Sequence, residues 1–192
     1  MGRPRKFDPQ VAIAQAMETF RSNGYADTSP QDLVDRLGIG KGSLYNTFGS
    51  KHDLFLRSLK HYADTSMVDF KAVIEDDSPI RERVTRLLSS FVDADLEDPD
   101  RCGCLVVNTA VELGVRDDEA AQLVGRSLAA TEAVLHTAFI AAQRAGEIAP
   151  ERDPKALAGL VQSTMIGLRV LIKTTDDRDR LKSIIAATVA AI

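Results

Sequence analysis

The sequence predicts an all-α protein of about nine helices. Apolar residues recur three and four positions apart along most of its 192 residues, which is the period of a helix with one buried face. A possible capping residue followed by proline, a pair typical of a first helical turn, occurs at Asp8-Pro9, Ser29-Pro30, Ser78-Pro79 and Asp153-Pro154. No long alternation of apolar and polar residues indicates a strand. We therefore predict a fold built from helices alone.

Composition favours a globular protein outside membranes. Apolar residues make up 44% of the chain, which is enough for a full core. No apolar run approaches the roughly 18 residues of a spanning helix, and the charged start MGRPRK is followed by FDPQ rather than an apolar signal segment. We expect a cytoplasmic protein with no membrane partner.

Charge is distributed unevenly along the chain. Residues 1–60 hold nine Lys and Arg against six Asp and Glu, a net charge of +3, whereas residues 61–192 hold fifteen against twenty-two, a net charge of −7. Salt screens distant charges within roughly 10 Å, so a basic face can meet a polyanion although the whole chain carries −4. The N-terminal part is the expected side for nucleic acid.

Three short helices are predicted in the first fifty residues. Helix one runs from about Pro9 to Ser22 and is stopped by Gly24. Helix two starts at the cap Ser29 and ends before Gly38, after only two turns.

The third helix starts at Lys41, beyond the tight corner formed by Ile39 and Gly40. Leu44 and Phe48 point inward at i, i+4, which leaves an outer face formed by Lys41, Ser43, Tyr45, Asn46 and Thr47. Two short helices joined by a glycine-bearing turn make a helix-turn-helix, whose second helix fits the DNA major groove.

Six further helices follow the same signals. Their expected spans are Lys51 to about Asp76, Ser78 to Asp98, Gly103 to Leu113, Asp117 or Asp118 to about Gly146, Pro154 to about Thr174, and the region after Asp177. The segment from Gly103 to Leu113 could be a strand by composition, but its helical neighbours and the stop at Gly114 favour a helix.

The central run GIGKGSLYNTFGSKHDLF, with Phe20, Gly24, Tyr25, Thr28 and Ser29 before it, resembles the DNA-binding domain of the TetR family of bacterial regulators. The resemblance covers about residues 7–57, and RCGCLVVNTAVELG resembles one subgroup of the family's ligand domains. It implies a helix-turn-helix domain over residues 1–50, and a ligand-binding and dimerisation domain over residues 51–192. It also implies a transcriptional regulator, most often a repressor released by a small-molecule inducer.

The outer face of helix three is the predicted DNA surface. Tyr45 could be a packing aromatic, but Leu44 and Phe48 already fill the inward side, so its hydroxyl can reach a phosphate. The resemblance implies the same role and adds a phosphate clamp at Lys51. It places further contacts, some of them near base edges, at Thr28, Ser29, Lys41, Gly42, Ser43 and Asn46. Gly42 permits close approach to the groove, or it only relieves crowding at the turn.

A basic N-terminal arm precedes this domain. Arg3, Arg5 and Lys6 carry three positive charges without an apolar residue between them. Such a segment is a solubilising terminus in most proteins, but before a helix-turn-helix we expect it to follow the phosphates or enter the minor groove.

The cysteine pair Cys102 and Cys104 has three interpretations. Two thiolates without a local histidine argue against zinc, and leave copper(I) or a thiol-reactive inducer as the alternatives. Arg101 and a helix N-terminus would favour a reactive thiol. Two small residues packed at a helix start is the preferred interpretation. We expect no metal and no cofactor.

Polar residues inside apolar helical segments suggest an effector pocket among helices four to eight. A buried hydrogen-bond network or plain surface exposure explains them equally well. The proposed ligand-binding residues are Phe91, Cys104, Asn108, Glu112, Phe139, Gln162 and Arg169.

Helices eight and nine are the predicted homodimer surface. Small residues at i+4 steps and an apolar stripe suit close packing across a two-fold axis. The residues concerned are Gly159, Ser163, Gly167, Leu181, Ile184, Ile185 and Thr188.

Catalysis finds little support, because the chain has no nucleophile elbow, phosphate loop or dinucleotide fingerprint. The alternatives to a ligand-released repressor are a thiol-based redox or electrophile sensor using Cys102 and Cys104 and, more remotely, a helical thiol-redox enzyme.

Overall fold

The computed structural model describes residues 7–192, so the predicted contacts of Arg3, Arg5 and Lys6 lie outside the described residues. Helices and no strands occur across residues 7–192, which confirms the all-α prediction. The nine helices of this range are α1 (Pro9–Asn23), α2 (Pro30–Leu37), α3 (Lys41–Phe48), α4 (Lys51–Ile74), α5 (Ile80–Glu97), α6 (Leu105–Leu113), α7 (Asp118–Arg144), α8 (Pro154–Leu171) and α9 (Arg178–Ala190). None of the helices in this range is long and apolar enough to span a bilayer.

Several helix ends form where the capping signals predict them, but the predicted cap at Ser78 is wrong, because α5 has Pro79 as its N-cap and no side-chain cap. Ser29 and Asp32 make a reciprocal capping box at the start of α2, with Ser29 Oγ accepting from the Asp32 N–H at 3.1 Å. Gly38 ends α2 in the left-handed conformation at φ 61°. Ser50 caps α4 by accepting from the Asp53 N–H at 3.0 Å. Local sequence therefore sets the lengths of the short helices.

The chain forms two compact units. Within the described residues, the first contains residues 7–65 and 104–124, and the second contains residues 66–103 and 125–192. The predicted boundary after residue 50 differs from this division, because the first turns of α4, together with α6 and the start of α7, belong to the first unit. The divisions near residues 65 and 124 fall inside the continuous helices α4 and α7.

An aromatic core holds the first unit together. Phe20, Phe48 and Phe55 are each at most 1% exposed, and the rings of Phe20 and Phe55 meet edge to face with centroids 5.1 Å apart. Truncating a buried Phe costs about 3–5 kcal/mol. Leu44 and Phe48 are both buried, so α3 is anchored through its inner face.

The core of the second unit brings together α5, α8 and α9. Leu87, Leu88, Leu168, Leu181 and Ile185 are all buried in one apolar cluster. The apolar stripe of α9 is thus covered by helices of its own chain.

Candidate nucleic-acid interface

The outer face of α3 is exposed as the sequence predicts. Lys41, Gly42, Ser43 and Asn46 are exposed, and Tyr45 is 41% exposed. No side chain caps the N-terminus of α3, since its N-cap is Gly40, so the first-turn N–H groups lack a local side-chain acceptor. The face offers an ammonium group, hydroxyls, an amide and a helix N-terminus, which are donors suited to phosphates and base edges.

Gly42 is not required by the packing of the chain itself. A Cβ atom built at this position would meet nothing within 4 Å. Relief of crowding at the turn therefore does not explain the glycine. Because glycine has no side chain, another molecule can approach the backbone of α3 closely at this position.

Lys51 is directed into its own domain. Its Nζ donates to the carbonyl oxygens of Tyr25 and Thr28, both at 2.9 Å, and lies 4.1 Å from the centroid of the Tyr25 ring. Two of the three ammonium protons are thereby engaged. The clamp that the resemblance implied at Lys51 thus serves first to fix the segment between α1 and α2, and one donor remains for a phosphate.

Thr28 was expected at the DNA surface, and this expectation is wrong. The residue is fully buried, and its hydroxyl donates to the Gly24 carbonyl at 2.6 Å. A short polar side chain buried in this way holds the turn and cannot reach DNA. Ser29 stays half-exposed, but its hydroxyl oxygen caps α2.

Glu112 also binds the segment between α1 and α2, through its backbone N–H groups. Its two carboxylate oxygens accept from the backbone N–H groups of Tyr25 at 3.0 Å and Ala26 at 2.7 Å. Gly24 gives it room, because a Cβ there would lie 3.0 Å from Glu112 Oε2. Lys51 thus donates to carbonyl groups of the segment between α1 and α2, and Glu112 accepts from N–H groups of the same segment. Sequence reasoning gave Glu112 a ligand role, and nothing local could reveal a contact 86 residues away.

A second long-range contact was missed altogether. His52 Nε2 lies 2.6 Å from Asp117 Oδ2, and the ring of Tyr25 packs edge-on against His52 at a centroid distance of 6.0 Å. The pKa of Asp117 is lowered, chiefly by the hydrogen bond from the Ala120 N–H and then by His52. Burial, followed by the charges of Asp117 and Glu112, raises the pKa of Tyr25. These contacts tie α4 and the start of α7 to the helix-turn-helix.

Phe91 and Arg169 meet in the second unit. The Arg169 guanidinium lies 4.2 Å from the Phe91 ring centroid and 3.5 Å from the buried Asp95 carboxylate. Two other predicted ligand residues are buried: Phe139 is fully enclosed, and the Gln162 amide donates to the Leu128 carbonyl at 2.6 Å. Gln162 therefore satisfies a backbone group of its own unit.

The cysteine segment is tightly built. Cys102 is buried and Cys104 is half-buried. Asp98 accepts from the Cys102 N–H at 3.2 Å, and the Lys173 ammonium donates to the Cys102 carbonyl at 3.2 Å. Asp98, Asp100 and Cys102 place three potential ligand atoms within 4.8 Å, but both Asp98 carboxylate oxygens already accept backbone N–H groups, from Asp100 at 3.1 Å and from Cys102 at 3.2 Å.

Cys104 and Asn108 belong to the first unit. Cys104 is the N-cap residue of α6, and its carbonyl accepts from the Asn108 N–H at 2.9 Å. The set proposed as one ligand site is therefore distributed over both compact units.

Comparison with known proteins decides the family. A model for bacterial regulatory proteins of the tetR family matches residues 12–57, and one for the tetracyclin repressor-like C-terminal domain matches residues 81–188. The second match alone covers more than half of the chain. The chain belongs to the TetR family. The resemblance that the sequence predicted is thereby confirmed.

Full-length relatives support this assignment. The chain is 32% identical to the uncharacterised HTH-type transcriptional regulator YezE of Bacillus subtilis (strain 168), with 100% of both chains covered. It is 25% identical to the HTH-type transcriptional repressor ComR of Escherichia coli (strain K12), covering 98% of this chain and 90% of ComR. A cysteine-substituted TetR-family regulator, CifR, solved with a 26-bp double-strand operator DNA, has a TM-score of 0.86 and 29% identity over 99% of both chains. This chain is a TetR-family transcriptional regulator, and its relatives are regulators rather than enzymes.

In this TetR-family chain the predicted dimer surface needs correction. Leu181, Ile185 and Thr188 are at most 7% exposed within the single chain, because α5 and α8 cover the stripe of α9. They are not free to meet a partner, and Ile184 packs half-buried against the same core.

The small residues of α8 have a different environment. Ser163 is exposed, and Gly159 and Gly167 are half-exposed. A Cβ at either glycine would meet nothing within 4 Å.

Proposed function

We propose that this protein is a dimeric repressor that binds a pseudo-palindromic operator and is released by a small molecule. The single observation that carries the DNA-binding role is the face of α3. Its inner residues Leu44 and Phe48 are buried, while Lys41, Tyr45 and Asn46 are exposed. The full-length similarity to the repressor ComR supports repression over activation. Such a regulator acts in the cytoplasm, where its DNA is.

The binding mode follows from symmetry. A two-fold dimer presents one α3 helix to each half-site, so the operator repeats in inverted orientation. Successive major grooves on one face lie roughly 34–36 Å apart, which sets the spacing of half-site centres or a multiple of it. Lys41 and Asn46 lie on the exposed part of α3 for base edges. The Tyr45 hydroxyl and the remaining donor of Lys51 serve phosphates.

The dimer surface we propose is the exposed side of α8. Leu160 is 40% exposed and Val170 is 46% exposed, although both are large apolar residues. Gly159 and Gly167 lie along the same helix with open space above them. Small residues flanked by exposed apolar ones suit close approach of a second helix. Ser163 is also part of this surface. The buried residues of α9 pack in the core of the same chain and do not contact the partner.

Effector release is proposed to work through α4. This helix runs without a break from Lys51, whose ammonium holds the segment before α2, to Ile74 in the second unit. We propose that α4 has two arrangements, one that suits operator binding and one that does not. An effector that binds the second arrangement more tightly lowers operator affinity by its difference in affinity for the two. Coupling of about 1–3 kcal/mol gives a 5- to 150-fold loss of operator binding. In the second unit, Arg169 already stacks on Phe91 and lies 3.5 Å from Asp95, so an effector bound there would replace contacts that the chain makes with itself.

The decisive experiment selects binding sites from random double-stranded DNA with the full-length protein. We expect an inverted repeat, bound by one dimer or by a pair of dimers, and light scattering should give a dimer at micromolar concentration. A reporter driven by the selected site should rise in expression when the gene for this protein is deleted. A monomer, or the absence of any enriched sequence, would refute the proposal.

Release is tested on the same DNA by fluorescence anisotropy. A compound and oxidant library is screened against the complex, and each active compound is repeated on a Cys102→Ser/Cys104→Ser variant. Release from both proteins supports a non-covalent effector. If release is lost in the variant, the protein is a thiol sensor and the non-covalent effector is refuted. If no compound releases the DNA, the protein is a constitutive regulator and the release mechanism is refuted.

A further inference from the structure

An open groove runs along the second unit between the end of α4, the start of α5 and the second half of α7. Its volume is about 450 Å³, inside the range of roughly 300–1,000 Å³ for small-molecule sites. None of the ligand-binding residues predicted from the sequence lines it. The groove therefore lies among helices four to eight, where the effector pocket is expected, but it is formed by other residues.

One wall of the groove is apolar. α7 contributes Ala133, Val134, Ala138 and Ala141, four small side chains that leave room for a chain of methylene groups. Thr137 lies among them, but its hydroxyl donates to the Ala133 carbonyl at 2.9 Å. This wall thus offers contact to hydrocarbon, and burial of apolar surface against it favours binding.

The opposite wall carries an arginine with an unused donor. Arg83 is only 9% exposed, and its Nη1 donates to the Ile74 carbonyl at the end of α4 at 2.9 Å. Its Nε is buried and has no acceptor in the described part of the chain. A buried donor of a charged group is destabilising as long as it has no acceptor. The C-terminus of α4 offsets at most about half of the guanidinium charge.

Two charged residues at the rim define the ligand further. Lys71 is exposed and forms no ion pair within residues 7–192, whereas Glu75 adds one negative charge just beyond the end of α4. The two cations of the groove therefore face one anion. Such a balance suits a single negative charge, because a polyanion would be repelled by Glu75.

We propose that this groove binds an amphipathic monocarboxylate. The carboxylate lies between Arg83 and Lys71 and accepts from the guanidinium, and its hydrocarbon part lies along the alanine-rich wall of α7. Arginine is suited to this task, since its fork of donors matches the two oxygens of a carboxylate.

The test is isothermal titration calorimetry of the full-length protein with sodium octanoate, octylammonium chloride and octan-1-ol. Octanoate should bind at one site per protomer, with at least tenfold higher affinity than octylammonium. The alcohol should bind more weakly than octanoate, because it lacks the charge that Arg83 and Lys71 recognise. No DNA is present, so the outcome does not depend on the operator proposal.

Charge substitutions locate the site. Lys71→Gln should weaken octanoate about two- to fivefold and Glu75→Gln should strengthen it by a similar factor, since both side chains lie at the exposed rim. Arg83→Gln should weaken it about tenfold or more. Ala141→Glu, which places a carboxylate on the apolar wall, should abolish binding. Lys182→Gln, an equal change on an exposed residue of α9, is the matched control and should change nothing.

The opposite responses at Lys71 and Glu75 protect the test from a folding failure at Arg83. Both are surface residues, and circular dichroism confirms that each variant is folded. Equal binding of octanoate and octylammonium would overturn the proposal. So would the absence of octanoate binding, or affinities that stay the same in both rim variants.

Discussion

Replacing Gly42 by alanine should raise stability and lower DNA affinity at once. The added methyl meets nothing within 4 Å in the protein, so it introduces no clash. Alanine favours a helix interior over glycine by about 0.8–1.0 kcal/mol, and because Gly42 sits in the first turn of α3 we expect roughly half of that. Against a groove surface the same methyl is an overpacked contact, worth roughly 1–3 kcal/mol of lost binding.

Urea unfolding and operator anisotropy measure the two effects on one preparation. Gly125→Ala is the matched control, because Gly125 is an exposed glycine inside α7 whose added Cβ would also meet nothing within 4 Å. It should gain stability and keep its DNA affinity. If Gly42→Ala bound the operator as tightly as the wild type, the placement of this turn of α3 against DNA would be refuted.

Three further substitutions test the contacts around this surface. Lys51→Ala should lower the free energy of unfolding by about 1–3 kcal/mol, since two carbonyls lose their donor, and an unchanged urea midpoint would contradict this role. Asp117 has a lowered pKa, so its stabilisation is complete above its unfolded pKa of about 3.9 and is lost as pH falls through the lower folded value. The stability difference between wild type and Asp117→Asn should therefore shrink as pH falls below about 4; a difference that stays constant as pH falls would exclude this linkage. Leu181→Ala should cost about 2–5 kcal/mol in the isolated protomer. If dilution into the monomer removed this cost, Leu181 would belong to a dimer interface instead.

Local signals predicted the helices well. Ser29, Gly38 and Ser50 cap helices through residues at most three or four positions away, so their sequence neighbours are sufficient to place the ends. The outer face of α3 followed from the helical period once Leu44 and Phe48 were assigned inward. Both kinds of inference use contacts that the chain makes with itself nearby.

Distant contacts could not be predicted in this way. Glu112 looked like a polar residue in an apolar helix, and only the fold brings its carboxylate to the N–H of Ala26, 86 positions earlier. The stripe that contains Leu181 had to be covered, but the period of one helix does not say whether its own chain or a partner covers it. Thr28 was misplaced for a similar reason, because its burial depends on how α1, α2 and α4 pack together.

The central claim, that the exposed face of α3 reads operator DNA, is tested most directly by a change at Lys41. Fluorescence anisotropy is measured on the selected operator and on a scrambled duplex at one salt concentration, for wild type, Lys41→Ala and Lys182→Ala. Both lysines are exposed, so the two variants lose the same charge. We predict that Lys41→Ala loses roughly 1–3 kcal/mol on the operator and less on the scrambled duplex, while Lys182→Ala binds both as the wild type does. Equal operator affinity of the two variants would contradict the claim.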